Sequence, residues 1–174
     1  MKVILIRHGE ARYDEVRLRK YPNQGFDLGK LSDLGVSQAE KVSKDKRLLG
    51  AELIISSPYT RALQTAAIIS KNTNIKLTVE NDLHEWMPDV DFTSSPLVGE
   101  AYNDYIKNRG LDTPNKIINW ETYENLKKRT HNALKPYINK YKKVIVVCHG
   151  IVMTTFTHFD DLVENCGIRE VELL

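Results

Sequence analysis

Lys2-Val3-Ile4-Leu5-Ile6-Arg7-His8-Gly9-Glu10 runs from four consecutive apolar residues straight into a charged turn that contains glycine. An apolar run without polar alternation reads as a strand covered on both faces, the pattern of a parallel sheet sandwiched by helices. The same form recurs along the chain. Glu52–Ser56 leads into Ser57-Pro58-Tyr59-Thr60-Arg61, and Lys143–Cys148 leads into His149-Gly150. Lys76–Val79 is a shorter run of this kind, and Ile168–Leu174 fits a closing strand.

Helical periodicity fills the intervals. Ser32 predicts an N-cap, followed by an apolar face of Leu34, Ala39, Val42 and Leu49 that ends at Gly50. Ser57-Pro58 reads as a helix start, with Ser at the N-cap and Pro at the first helical position, continuing through Ala62, Leu63, Ala66 and Ile69. A third helix carries Leu126, Ala133, Leu134, Tyr137, Ile138 and Tyr141, with Pro136 expected to kink or break it. A last helix is expected to begin near Gly150. Strands alternating with helices predict an α/β fold, a three-layer sandwich with a mostly parallel central sheet and helices on both faces.

Composition narrows the class. The chain has 174 residues, 41% hydrophobic and 28% charged, which predicts a single globular domain over 1–174. Its 25 basic and 23 acidic residues give a net charge of +2, too balanced to argue for nucleic acid. No apolar run approaches a membrane span, and Met1–Ile6 lacks the h-region and cleavage site of a signal peptide, so no membrane is expected and the cytoplasm is the expected compartment. Cys148 and Cys166 form no CxxC pair, which argues against a disulfide framework or a structural zinc site. No face is distinctive enough to specify an oligomeric state.

Charge is unevenly placed. Asp82, Glu85, Asp89, Asp91, Glu100 and Asp104 lie in a stretch without Lys or Arg, whereas Lys107 to Lys143 holds ten basic and three acidic residues. Two solvated faces account for this most simply. The acidic stretch also holds Pro88, Pro96 and Gly99, so residues 86–110 are expected to form an irregular lid or cap segment. Its carboxylates are expected to rim the site and favour substrates with one phosphate and a neutral or cationic body. Gly25–Leu31 imitates a P-loop but is one residue short between its glycines and has Leu31 where a magnesium-binding hydroxyl belongs. His84-Glu85 lacks the second histidine of a zinc-binding HExxH.

Three strand-to-helix junctions remain: Arg7-His8-Gly9-Glu10, Ser57 through Arg61, and His149-Gly150. Singly, each residue has an ordinary reading as an ion-pair partner, an interior histidine or a turn glycine. Jointly they stand at carboxyl ends of strands, where open α/β sheets bind ligands. Two guanidiniums can clamp a phosphate dianion, and helix starts near Ser57 and Gly150 can add N–H donors. Neighbouring positive charge disfavours the imidazolium, leaving a neutral histidine able to attack phosphorus.

Arg7-His8-Gly9-Glu10 resembles the RHG signature of the histidine phosphatase superfamily, which includes the phosphoglycerate mutases. Gly25-Phe26-Asp27, Leu31-Ser32, Gly35 and Gln38-Ala39 resemble its G-x-D-x-x-L-[ST]-x-x-G-x-x-Q-A region, with extra residues before the leucine. Ser56-Ser57-Pro58, Arg61-Ala62 and Gln64-Thr65-Ala66 resemble its S-S-P-x-x-R-A-x-Q-T-A segment. Leu83-His84-Glu85 resembles its L-x-E acid/base site, and Cys148-His149-Gly150 its late S/C-H-G motif. The five motifs occur in the family's order from residue 2 to about 155. Ala11 and Asp14 depart from it, replacing a hydroxyl residue and an asparagine.

The resemblance implies a phosphoric monoester hydrolase acting on a small phosphorylated substrate. It implies attack by His8, oxygens held by Arg7, Arg61, His149 and the Gly150 turn, and proton transfer by Glu85. No metal or other cofactor is expected, since the arginines neutralise the phosphate. A mutase of the same superfamily and a catalytically inactive phosphate-binding module are the alternatives. The compact length disfavours the first, and the intact Arg7, His8, Arg61, Glu85 and His149 disfavour the second.

Overall fold

The computed structural model describes residues 1–21, 23–93 and 95–174, without the side chains of Asn23 and Gln24. In chain order the elements are β1 (Lys2–Arg7), β2 (Ala11–Arg12), α1 (Asp14–Leu18), β3 (Lys30–Leu31), α2 (Asp33–Val42), β4 (Leu53–Ser56), α3 (Thr60–Thr73), β5 (Leu77–Val79), α4 (Ala101–Lys107), α5 (Tyr123–Ile138), β6 (Lys143–Cys148), α6 (Gly150–Thr154) and β7 (Ile168–Glu172). Five strands form one sheet in the order β5-β4-β6-β1-β7, and β2 and β3 make a separate small ribbon. All neighbours in the large sheet are parallel except β7, which closes the edge antiparallel to β1.

The continuous apolar runs supply two cores, one per face. Ile4, Ile6, Ile54, Ile145 and Val147 meet Val42 of α2 and Ala62, Ala66 and Ile69 of α3. Val3, Leu5, Ile55, Val144 and Val146 meet Leu126 and Leu134 of α5, Tyr105 of α4 and Met153 of α6. Each such side chain contributes roughly 1.5–3 kcal/mol on burial, so the strands are held most firmly where they carry the junctions. The register then aligns those junctions: Arg7 pairs with Cys148, and Ser56 with Val147. The amides just beyond continue the ladder, His8 N–H to Cys148 O at 3.0 Å and Ser57 N–H to Val147 O at 2.9 Å.

Several local expectations are corrected. Ser32 does cap α2 through Gly35 N, but the helix stops at Val42. Asp45 caps a separate 3-10 turn over Lys46–Leu48, and Gly50 provides the positive φ of 77° at the following bend. Leu34 and Leu49 are therefore exposed rather than core-facing. α3 begins at Thr60, not Pro58, because Ser57 is engaged elsewhere and Tyr59 stays extended. Pro136 does not break α5, which runs on to Ile138; the proline sits in the final turn.

The segment 86–110, of which Ser94 lies outside the described residues, is less irregular than its prolines suggest. Ser95 caps a 3-10 turn over Pro96–Glu100 that runs into α4, whose Ala101 and Tyr105 are buried in the core. Among the described residues, no helix is long and apolar enough to cross a membrane.

Candidate active site

β1 delivers Arg7 and His8 to the carboxyl edge of the sheet. His8 is 6% exposed. Its Nδ1 lies 2.7 Å from Gly9 O, and Arg61 donates its Nε–H to His8 Nε2 at 3.2 Å. These partners assign the tautomer: the proton is on Nδ1, and Nε2 holds the lone pair. Burial, then Arg61, then Arg7 lower the His8 pKa from 6.5 to about 3, so the ring is neutral at ordinary pH.

His149 follows β6 and is fully buried, its ring centroid 5.2 Å from that of His8. Its Nε2 lies 2.7 Å from Ser57 Oγ, which also accepts Tyr59 N–H at 3.2 Å. Tyr59 N–H takes one lone pair of Ser57 Oγ, and donation of the Ser57 hydroxyl to Nε2 is the arrangement that pairs its own proton, with the ring proton then on Nδ1. Burial and the cationic Arg61 hold His149 well below its ordinary pKa, so it too is neutral. His149 Nδ1 and Arg7 Nε are buried polar atoms without a partner among the described residues. Two donors at the end of the sheet are thus left for an anion. Arg7 itself is anchored by Nη1–H to Val163 O at 2.6 Å. Gly150 opens α6 against this guanidinium, and a Cβ there would meet Arg7 Nε at an unstrained 3.6 Å.

The family-like motif residues serve as the frame. Gly9 crosses Gly35 so closely that a Cβ on Gly9 would lie 2.5 Å from Gly35 O, and one on Gly35 would lie 2.1 Å from Glu10 O. Thr65 accepts Gly9 N–H, Gln38 accepts Glu10 N–H, and Gln64 accepts Leu31 N–H. Asn165 donates to His8 O at 3.0 Å, a role no sequence signal marked. Asp14, the acidic departure, is forked on Arg12 at 2.6–2.8 Å, while Ala11 pairs with Leu31.

Glu85 accepts Trp86 N–H at 2.8 Å and lines a cavity of about 240 Å³ together with Arg61 and Tyr59. Burial raises its pKa above the ordinary carboxyl range, against lowering by the Trp86 amide, Arg61 and Arg129. Desolvation therefore wins, and the second opposing cation is Arg129, not Arg7. Arg129 on α5 clamps this loop from behind. It donates to Asp82 O at 2.6 Å, His84 O at 2.9 Å and Glu85 O at 3.1 Å, and forks onto Glu121 at 2.6 and 2.8 Å. Glu121 O accepts the Trp86 indole N–H at 2.7 Å. Nothing in the basic stretch from Lys107 to Lys143 separates Arg129 from its solvated neighbours Lys127 and Lys128.

Of the acidic segment expected to rim the site, Asp89 lines the cavity beside Glu85, whereas Asp91, Glu100 and Asp104 are not among its lining residues. Asp89 spends both oxygens on the Asp91 amide and on Thr93, and Asp104 receives Trp120, Ile117 and Asn108. Asp91 accepts from Asn119. These carboxylates hold the segment together. Cys148 is buried and its thiol pKa raised by burial; Cys166 is pushed up to about 12.

The model of the histidine phosphatase superfamily (branch 1) matches residues 3–159. The chain belongs to this superfamily. Phosphoserine phosphatase 1 of Hydrogenobacter thermophilus is 28% identical over 161 residues, spanning 88% of this chain and 72% of its own. The mycobacterial glucosyl-3-phosphoglycerate phosphatase shares the fold, with a TM-score of 0.73 at 18% identity over 97% of this chain and 88% of that one. A phosphoglycerate mutase from Bacillus anthracis also shares it, with a TM-score of 0.70 at 18% identity over 98% and 86%. This member of the superfamily is a phosphoric monoester hydrolase; relatives named phosphatases span 85–99% of the chain, and relatives named probable phosphoglycerate mutase match 49% of it.

Proposed function

We propose that this phosphatase hydrolyses a small phosphomonoester through a phosphohistidine on His8. The observation that carries the reading is the neutral, oriented imidazole, with Nδ1–H held by Gly9 O and the Nε2 lone pair turned to Arg61. On binding, the Arg61 N–H passes from Nε2 to a phosphoryl oxygen, while Arg7 and the His149 Nδ1–H take others at the start of α6 beside Gly150. Nε2 then forms a bond to phosphorus as the ester P–O bond breaks. Glu85, its pKa raised, gives its proton to the departing oxygen. In the second step Glu85 takes a proton from water, the water oxygen bonds to phosphorus, the Nε2–P bond breaks, and phosphate leaves.

Charge stabilisation by a prepared clamp supplies most of such catalysis. The segment 86–110 walls the site as its lid, within one domain spanning the chain. A phosphorylated small molecule is the partner, and the cytoplasm, which keeps Cys148 and Cys166 reduced, is the compartment. The test is His8→Ala. Turnover of para-nitrophenyl phosphate should vanish with the fold intact, and rapid acid-free quenching of the wild type should trap phosphate on His8. Retained turnover in the variant would refute the mechanism.

A further inference from the structure

The cavity beside Glu85 states what the rest of the substrate looks like. Its walls are Phe26, Tyr59, Trp86, Met87, Phe92 and Val98. Phe26 and Phe92 are 44% and 51% exposed, and Phe26 also leans on the Tyr13 ring, 5.7 Å between centroids. Among the described residues that line it, Arg61 is the one cation, and it belongs to the phosphate clamp. Of the lining carboxylates, Glu85 serves proton transfer, and Asp89 keeps its charge while its oxygens accept the Asp91 amide and the Thr93 amide and hydroxyl of its own turn. Asp27 is the third. It is half-buried in a wall that it shares with Tyr59 and Arg61.

We propose that the cavity selects phosphomonoesters whose body is apolar and of aromatic size, uncharged or bearing a cationic amine that Asp27 receives, and that it rejects bodies with a second anion. The chemistry is direct. An apolar wall gains from covering an apolar body, and aromatic faces favour a neighbouring cation. A second phosphate or carboxylate would instead be desolvated against Asp27 with no counter-charge in the wall. This assignment rests on the phosphatase reading above and deepens it. It adds Asp27 to Asp89, the carboxylate of the acidic segment that lines the same wall.

The experiment uses three esters of matched phenol leaving groups, so that only the body differs: phenyl phosphate, 4-(2-aminoethyl)phenyl phosphate and 3-(4-phosphonooxyphenyl)propanoate. kcat/KM is measured for each in wild type and in Asp27→Asn at low salt. The amine ester should exceed the propanoate, with the phenyl ester between them. In Asp27→Asn the amine-to-phenyl ratio should fall by about fivefold, the upper end for a partly exposed ion pair. A propanoate ester equal to or better than the amine ester in wild type would overturn the proposal. So would an amine-to-phenyl ratio unmoved by Asp27→Asn. If none of the esters is cleaved, para-nitrophenyl phosphate is also inert and orthovanadate does not bind, the phosphatase reading falls and takes this one with it. Robust but indiscriminate turnover sinks the selectivity alone.

Discussion

Arg129→Met should disable the acid/base loop without touching the phosphate clamp. The guanidinium holds three consecutive-loop carbonyls, those of Asp82, His84 and Glu85, and forks onto Glu121. The Glu121 side chain is only 4% exposed and that of Arg129 14%. Removing one member of a buried ion pair leaves an uncompensated charge, at a cost of about 3–5 kcal/mol. Domains of this kind have roughly 5–15 kcal/mol in hand, so the variant should fold with a lowered urea midpoint. Adding Glu121→Gln removes the stranded charge and should recover roughly 2 kcal/mol, because a neutral amide is far cheaper to bury.

The kinetic signature is separate. With its carbonyl released, Glu85 loses its aim, and general acid help is worth about 10²–10⁴ in rate. An alkyl phosphate, which needs a proton on its leaving oxygen, should lose at least about tenfold more kcat/KM than para-nitrophenyl phosphate, which does not. The loss of a cation that lowers Glu85 should also move the basic limb of the pH profile upward. Urea unfolding can be followed by the fluorescence of Trp86 and Trp120, both in this part of the core. The reasoning is refuted if the double variant is no more stable than Arg129→Met, or if both ester classes decline equally.

Glu85→Gln should show the same leaving-group discrimination; equal losses on both esters would remove Glu85 from proton transfer. Stability should fall as pH drops below 6.5, because His8, His84 and His149 all have folded pKa values below that of the unfolded chain, which therefore takes up protons first. Glu85 and Asp27, both raised on folding, act in the opposite sense but are two groups against three; a melting temperature flat or rising from pH 6.5 to 4.5 contradicts this. Gly35→Ala places a methyl 2.1 Å from the Glu10 carbonyl, and overpacking of this kind should cost about 1–3 kcal/mol or more. The melting temperature and turnover should fall together, since the same crossing holds Gly9 beside His8.

The order and type of the main elements, and the convergence of Arg7, His8, Arg61 and His149 on one sheet edge, follow from residue pattern. Unbroken Val/Ile/Leu runs require cover on both faces, which selects a parallel sheet, and parallel strands bring their carboxyl ends to one edge. Arg7, His8, Arg61 and His149 had to meet once that was so. Local hydrogen-bond choices needed the folded chain. Ser57 carries an N-cap signal, yet its hydroxyl goes to His149 92 residues away, and α3 starts two residues late. Leu34 and Leu49 satisfy helical spacing, but α2 ends before the second of them and turns the first outward.

Charge is where sequence and tertiary structure part most widely, because an ionisable side chain is defined by what surrounds it. The carboxylate of Asp104 looks like part of a negative rim in the chain and is an indole acceptor in the fold, whereas Asp89 accepts from its own turn and still lines the cavity. Arg129 looks like one solvated cation among ten and is the buried clamp of the acid/base loop. Asp27 sits inside a motif that the sequence brings forward only as a family likeness, and the fold sets it in the wall of the substrate cavity. Apolar patterning is additive along a strand or helix and can be read in order. Desolvation and pairing depend on groups far apart in the chain, and only their meeting in space decides the proton on His8, the pKa of Glu85 and the chemistry of the pocket beside them.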